Sequence, residues 1–184
     1  KIDLLPQVEA VKDKGYEILY CTEYVDEFTI MTLRKYKDFE FKNVCNDSID
    51  LDTKEEKEEL AKKNDNAKDM FKTMAEAVSE VKSIRFTNKL KNHPVCLSSD
   101  GEISVEMEKA MNAMPFDNDV KASKVLEINE NHPIAKKLEN LYNTDKEELK
   151  NMTKVLYAQA RLIEGLSIEN PTEISNLICE YLSK

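Results

Sequence analysis

The last forty residues hold the most constraining pattern in the chain, because they predict two helices with more apolar surface than they can bury against each other. The first helix has Thr144 as its predicted N-cap with Glu147 three residues later, and it ends at Gly165. The second begins with Asn170 and Pro171, a pair typical of a helix start. The short link between them predicts an antiparallel helical hairpin.

Apolar residues recur along both helices at the spacing of a single helical face. They form the predicted dimer interface, which consists of Leu149, Met152, Leu156, Ala160, Ile163, Ile174, Leu177, Ile178, Tyr181 and Leu182. A second copy of the hairpin, related by a two-fold axis, would cover this face by forming a four-helix bundle. The pattern leaves open which residues cross the two-fold axis and which pack inward on residues 54–140.

Composition and charge indicate a cytoplasmic protein with no nucleic-acid or membrane partner. The 184 residues include 36 acidic and 27 basic side chains, a net charge of −9, whereas nucleic-acid binding needs a basic surface. No apolar run approaches the length of a membrane span, and the first residues lack a signal-peptide pattern. Cys21, Cys45, Cys96 and Cys179 have no C-x-x-C spacing, which favours buried, reduced thiols over a disulfide framework or a zinc site.

The order of the predicted elements indicates an α+β protein with two domains. Residues 1–52 predict a small α/β subdomain with an incomplete sheet, since its two strands, at 16–21 and 39–44, are too few for an independent one. Residues 53–184 predict a mainly helical domain with a small sheet and the helical hairpin at its end. Its predicted elements are a helix reaching residue 81, strands at 84–88, 95–98 and 125–128, and helices at 103–114 and from Pro133. We expect the chain to be a fragment of a longer protein.

The sequence contains no residue pattern that indicates an enzyme active site. Its three glycines, at positions 15, 101 and 165, are too scattered for a phosphate-binding loop. His93 and His132 each precede a proline, a placement more typical of structural residues than of metal ligands or catalytic bases. Carboxylates are plentiful on helix faces, but spacing singles out no pair. We predict no catalytic residue, metal ligand or bound cofactor here; a small hydrolase is an alternative that lacks a nucleophile–base pair.

The predicted helix at 103–114 carries the sharpest functional signal. Its apolar face consists of Ile103, Met107, Ala110, Met111 and Met114. Methionine is flexible and polarizable, so such a face suits a surface that accepts many apolar shapes. Periodicity alone favours an ordinary core helix. Phe28, on an earlier predicted helix, has the same two interpretations.

Five strings, in order along the chain, resemble the heat-shock protein 90 chaperone family in its bacterial HtpG branch. The strings are Tyr24-Val25-Asp26-Glu27-Phe28, His93-Pro94-Val95-Cys96-Leu97, Val125-Leu126-Glu127-Ile128-Asn129 with Asn131-His132-Pro133, Leu156-Tyr157 with Ala160, and Ile168-Glu169-Asn170-Pro171. Each string is short, and it is their shared order that carries the resemblance.

The resemblance implies that residues 1–52 end the family's middle domain and that residues 53–184 form its C-terminal dimerisation domain. It implies a homodimeric parent that is an ATPase chaperone, with ATP and magnesium bound in an N-terminal domain outside these residues. It also implies unfolded client proteins as partners, with Phe28 and the apolar face of the 103–114 helix at the client-binding surface. A purely structural dimerisation module, with its methionine helix buried and no client contact, is the alternative.

Overall fold

A computed structural model describes residues 5–46, 52–114 and 120–183 of the chain. The described residues form eight helices: α1 (Pro6–Asp13), α2 (Tyr24–Leu33), α3 (Lys54–Asn66), α4 (Lys68–Ala75), α5 (Val105–Asn112), α6 (Pro133–Thr144), α7 (Lys146–Ile163) and α8 (Pro171–Leu182). They also form five strands: β1 (Lys35–Tyr36), β2 (Phe39–Glu40), β3 (Val81–Thr87), β4 (Val95–Ser99) and β5 (Lys124–Asn129). The predicted α+β class is confirmed, while the division into two domains after residue 52 stays a prediction.

The segment before residue 47 has less sheet than the sequence predicts. Residues 16–22 belong to none of the described strands, so the strand predicted at 16–21 is wrong. The strand predicted at 39–44 shortens to β2, which pairs antiparallel with β1. Both corrections have the same physical reason: residues with high β propensity form a strand only where a second strand satisfies their backbone groups.

The larger sheet places β5 between β3 and β4. The β3–β5 pair is parallel and the β4–β5 pair is antiparallel, so Ile128 lies between Phe86 and Val95. The sequence predicts all three strands with small errors at their ends. The preceding helix is predicted to reach Val81, but it divides at Ala67 and ends at Ala75, and Val81 opens β3 instead.

One face of this sheet carries the main apolar core. Alternate strand residues point to that face, namely Ile84, Phe86, Val95, Leu97, Leu126 and Ile128. Helices α4, α6 and α7 cover it with buried side chains that include Met70, Phe71, Met74, Leu138 and Leu149. The rings of Phe71 and Phe86 meet edge to face at 5.0 Å between centroids.

The opposite face of the sheet is polar. Glu127 is buried there, and its Oε1 accepts a hydrogen bond from Arg85 Nε at 3.0 Å while Lys89 Nζ lies 3.8 Å away. Cys96 Sγ lies 3.6 Å from Glu127 Oε2. A carboxylate in the interior needs such partners, because an isolated buried charge is strongly unfavourable.

The first helix of the C-terminal hairpin begins one residue later than predicted. Its N-cap is Asp145, whose Oδ1 accepts hydrogen bonds from the backbone N–H groups of Glu147 at 3.1 Å and Glu148 at 3.0 Å. Thr144 instead ends α6, where its hydroxyl donates to the Asn140 carbonyl at 2.9 Å. Asp145 is the N-cap instead of Thr144 because its carboxylate can accept both N–H groups and because its negative charge is favourable at a helix N-terminus.

The start of α8 is as predicted. Asn170 Oδ1 accepts a hydrogen bond from the Glu173 N–H at 3.3 Å, and Pro171 is the first helical residue. The Glu173 carboxylate also pairs with Lys154 Nζ of α7 at 2.6 Å, so the two helices of the hairpin are joined near the α8 N-terminus.

Candidate functional site

The predicted interface residues on α7 lie mainly inside the chain's own core. Leu149, Met152, Leu156 and Ala160 are buried, and α7 contacts α4, α6, β4 and α8. These four residues pack inward, one of the two placements that the sequence leaves open. A side chain that is buried within its own chain has no surface left for contact with a partner. The candidates for the dimer contact are therefore the hairpin residues that stay exposed.

The outer face of the hairpin remains apolar and exposed. Leu182 is 83% exposed, Leu162 is 61% exposed and Ile178 is 39% exposed. Ile174, Ile178 and Leu182 are four residues apart, so they share one side of α8. The remaining predicted residues divide as follows: Ile163, Ile174 and Tyr181 are half-buried, and Leu177 is buried. We call Leu162, Ile174, Ile178 and Leu182 the outer hairpin face.

The methionine helix is only partly exposed. The structure places its helical residues at Val105–Asn112, so Ile103 and Met114 lie just outside its two ends. Met107 and Ala110 are buried, Ile103 and Met111 are half-buried, and Met114 is exposed. Burial of Met107 and Ala110 agrees with the core interpretation of this helix, whereas Met111 and Met114 keep apolar surface available.

Polar contacts fasten α5 to two other elements. Lys124 Nζ at the start of β5 lies 2.8 and 2.7 Å from the two carboxylate oxygens of Glu108, and the Ala122 N–H donates to the same carboxylate at 2.7 Å. Lys109 Nζ donates to the backbone carbonyl of Glu164 at the end of α7. The helix is therefore held in one position by groups on its polar side.

Helix α2, which carries Phe28, contacts α5. The two helices are in contact, and the Ser104 hydroxyl, which caps α5, donates a hydrogen bond to the Glu27 carboxylate. Phe28 is half-buried and lines an open, mainly apolar depression together with Thr29, Thr32 and Leu33. The helix that carries Phe28 is thus in contact with α5, and the contact shown between them joins Glu27 to Ser104.

Helix α2 has further exposed apolar residues that the sequence did not predict to be exposed. Val25, Met31 and Leu33 are exposed, as are Tyr36 and Phe39 on the β1–β2 hairpin. The sequence did contain an indication of this exposure, because the apolar residues of α2 are distributed around the helix instead of forming one face. A helix of that composition leaves apolar side chains exposed wherever its own chain covers only part of it.

The cysteines are free; Cys96 is buried and Cys45 is half-buried. Burial raises the pKa of the Cys45 thiol to about 12. Burial, with the negative charge of Glu127, raises the pKa of Cys96 well above its ordinary value. Such thiols stay protonated at neutral pH and are poor nucleophiles. Cys21 and Cys179 are exposed, so the prediction of buried thiols is wrong for these two.

The histidines have local structural contacts. His132 is the N-cap of α6, where its Nδ1 accepts a hydrogen bond from the Ile134 N–H at 3.2 Å. His93 Nδ1 lies 3.5 Å from Glu9 Oε1, next to the Asn92 N–H that donates to Glu9. The capping contact of His132 is one that a structural role predicts.

Neither a metal-binding cluster nor a membrane-spanning helix occurs in the described part of the chain. Across residues 5–46, 52–114 and 120–183, no three His, Cys, Asp or Glu side chains come together as metal ligands would. Within those same ranges, no helix combines the length and the apolar composition needed to cross a bilayer.

Comparison with known proteins identifies the family. The family model described as "Hsp90 protein" matches residues 1–184. The chain is 48% identical over 183 residues to "Chaperone protein HtpG" of Bacillus subtilis (strain 168), and 49% identical over 184 residues to the protein of that name in Clostridium botulinum (strain Langeland). Each alignment covers 99% of this chain, which spans only 29% of the length of these relatives. The chain belongs to the heat-shock protein 90 family, in its bacterial HtpG branch.

Proposed function

We propose that this chain is part of an ATP-dependent, cytoplasmic molecular chaperone, in which it joins two copies and contributes to the surface that holds unfolded clients. The observation that carries the proposal is the outer hairpin face, in which Leu162, Ile178 and Leu182 are exposed and Ile174 is half-buried, on a chain that belongs to the heat-shock protein 90 family. The relatives named above are called chaperones. ATP and magnesium belong, in this proposal, to a part of the parent protein that these residues do not include.

The dimer contact is argued from what the hairpin leaves uncovered. Ile178 and Leu182 project from α8 beside the buried Leu177, so the helix is apolar on two adjacent sides but packs on its own chain with only one. Complete burial of one such side chain contributes about 1.5–3 kcal/mol. A second hairpin across a two-fold axis would bury the same residues on both copies at once, because a two-fold contact uses one patch twice.

Client binding is argued from the neighbouring helices α2 and α5. Phe28, Met111 and Met114 retain exposed or half-exposed apolar surface, and the exposed Val25 and Met31 extend that surface along α2. Exposed apolar patches of this kind mark interaction sites on soluble proteins. The burial of Met107 and Ala110 favours the alternative, a structural dimerisation module, for the inner half of α5.

The dimer proposal is tested by placing charge on the outer hairpin face. The double variant Ile178→Asp/Leu182→Asp should sediment as a monomer at concentrations where the unchanged chain is a dimer, with its circular dichroism spectrum retained. Asn176→Asp is the matched control, because Asn176 is exposed on the opposite side of the same helix. A double variant that is folded and still dimeric would place the contact elsewhere.

The client proposal needs a separate measurement. Reduced, carboxymethylated α-lactalbumin serves as an unfolded probe, and its affinity is measured by fluorescence anisotropy. The variant Phe28→Ser/Met114→Ser should bind the probe at least fivefold more weakly, whereas Phe39→Ser removes a more exposed aromatic from the β1–β2 hairpin and should leave binding unchanged. Equal binding by all three proteins would favour the structural module.

A further inference from the structure

Arg161 joins three parts of the chain at the end of α7. Its Nε donates a hydrogen bond to the Ser167 carbonyl at 2.7 Å, in the link between α7 and α8. Its Nη1 donates to the Glu80 carboxylate, just before β3, and lies 3.3 Å from the Tyr157 hydroxyl. The guanidinium also lies over the Tyr157 ring, 5.5 Å from its centroid. The Arg161 side chain is 11% exposed and the Glu80 side chain is 37% exposed, so water reaches the ion pair mainly from the glutamate side.

The backbone of Arg161 fixes the beginning of the same link. Its carbonyl accepts a hydrogen bond from the Leu166 N–H at 2.8 Å, and the Gly165 N–H donates to the Leu162 carbonyl at 3.1 Å. Gly165 has φ +70°, the left-handed conformation that such a helix end requires. The main chain and the side chain of Arg161 therefore both contact the link and help to set its direction at the end of α7.

Two carboxyl groups complete the cluster. Glu169 lies near the end of the link, and the neighbouring Glu80 carboxylate raises the pKa of Glu169. Burial alone would raise the pKa of Glu80, but its interactions with Glu169 and Tyr157 and the positive charge of Arg161 lower it. The Glu80 carboxylate is thus kept ionised as the partner of Arg161, and the Arg161 side chain holds the link to the body of the chain at Ser167.

Beyond this link, α8 packs on α7, and Lys137 Nζ of α6 lies 6.0 Å from the centroid of the Tyr181 ring. Leu177 is the buried residue of α8, Tyr181 is half-buried against the core, and Glu173 pairs with Lys154 of α7. A helix of 12 residues anchored in this way takes much of its direction from the segment that precedes it.

We infer that Arg161 is a positioning residue for the dimer: clamped between Glu80 and the Ser167 carbonyl, it sets the direction in which α8 presents Ile178 and Leu182 to a second copy. The inference rests on the proposed dimer function. Arginine suits this role because its planar guanidinium carries donors that point in different directions, whereas a lysine ammonium at the same place reaches fewer acceptors.

The test measures dimer dissociation constants by sedimentation equilibrium, at a temperature well below unfolding. Arg161→Gln and Glu80→Gln should each raise the dissociation constant about tenfold, the equivalent of about 1.4 kcal/mol. The double variant should be no worse than either single one, because both changes break the same contact. The dissociation constant of Arg161→Lys should lie between that of the unchanged chain and that of Arg161→Gln. Lys63→Gln, which removes an ion pair with Glu130 outside the hairpin, is the control and should change nothing.

A second readout separates positioning from general stabilisation. Spin labels are attached to an Asn176→Cys variant in a Cys21→Ser/Cys179→Ser background, and the distance between the two copies is measured by pulsed electron resonance. Arg161→Gln should broaden or shift the distance distribution, while Lys63→Gln should not. A dissociation constant within twofold of the unchanged chain, together with an unaltered distribution, overturns the inference and leaves the dimer proposal intact. Dimers that persist in Ile178→Asp/Leu182→Asp overturn both.

Discussion

Glu164 at the end of α7 and Gln7 in α1 are joined by a buried hydrogen bond, in which Gln7 Nε2 lies 2.7 Å from Glu164 Oε1. The same Gln7 amide donates to the Leu97 carbonyl of β4 at 2.9 Å. The backbone carbonyl of Glu164 in turn accepts from Lys109 of α5. The end of α7 is therefore a point where the first helix, the methionine helix and the hairpin meet.

The first prediction concerns the pH dependence of Glu164. Burial raises its pKa, and the hydrogen bond from Gln7 and the charge of Lys109 only partly oppose that shift. Because the folded chain then holds this proton to higher pH than the unfolded chain does, the contribution of Glu164 to stability is greatest at low pH. It declines as pH rises from the ordinary glutamate pKa through the raised one. Glu164→Gln should remove this decline and be more stable than the unchanged chain at pH 7.5.

Urea unfolding from pH 4 to 8 measures the effect as a difference between the two proteins, so that other carboxyl groups cancel. Glu102→Gln, an exposed change on the loop before α5, is the control for the loss of one negative charge at the surface. Parallel curves for Glu164→Gln and the unchanged chain would show that Glu164 does not titrate as its surroundings require.

The second prediction concerns the polar face of the sheet. Glu127→Gln should lower the free energy of unfolding by about 3 kcal/mol, because it leaves the Arg85 and Lys89 charges without their buried partner. Asp13→Asn breaks an exposed ion pair with Lys91 and should have little effect. Denaturant unfolding compares the two variants. Similar small losses in both would mean that water replaces the Glu127 carboxylate at little cost.

The third prediction separates the two interpretations of the methionine helix. Met107→Ser should destabilise the chain by about 2–4 kcal/mol, since it removes a buried side chain. Met114→Ser removes an exposed side chain and should change stability by about 0.5 kcal/mol or less. Thermal and urea unfolding supply both values. A large loss in Met114→Ser, with none in Met107→Ser, would reverse the burial assigned to the two residues.

Local sequence patterns predicted most of the helices and strands. They did not predict which apolar faces the chain buries within itself. The apolar residues of β3, β4 and β5 located these strands, although β4 and β5 are buried on both faces. The same kind of pattern identified the stripe from Leu149 to Ile163, yet it could not show that α7 packs inside the chain. A helical period reveals that a face must be covered and says nothing about what covers it.

The errors in the first segment have a different origin. Residues 16–21 are rich in β-forming side chains such as Tyr16 and Tyr20, but strand formation depends on a neighbour that no local pattern records. The exposed residues of α2 were missed for a related reason. The family resemblance favoured the exposed interpretation of Phe28, whereas nothing in the sequence indicated exposure of Val25 and Met31.

The last prediction concerns the N-terminus of α7, where Thr144 and Asp145 compete for the cap. Asp145→Ala should cost about 1 kcal/mol, because the N–H groups of Glu147 and Glu148 lose their shared acceptor. Thr144→Ala should cost less, since the Thr144 hydroxyl only donates back to a carbonyl of its own helix. Urea unfolding of the two single variants gives the order directly. The reverse order would restore the cap that the sequence predicts, and it would shift the start of α7 back by one residue.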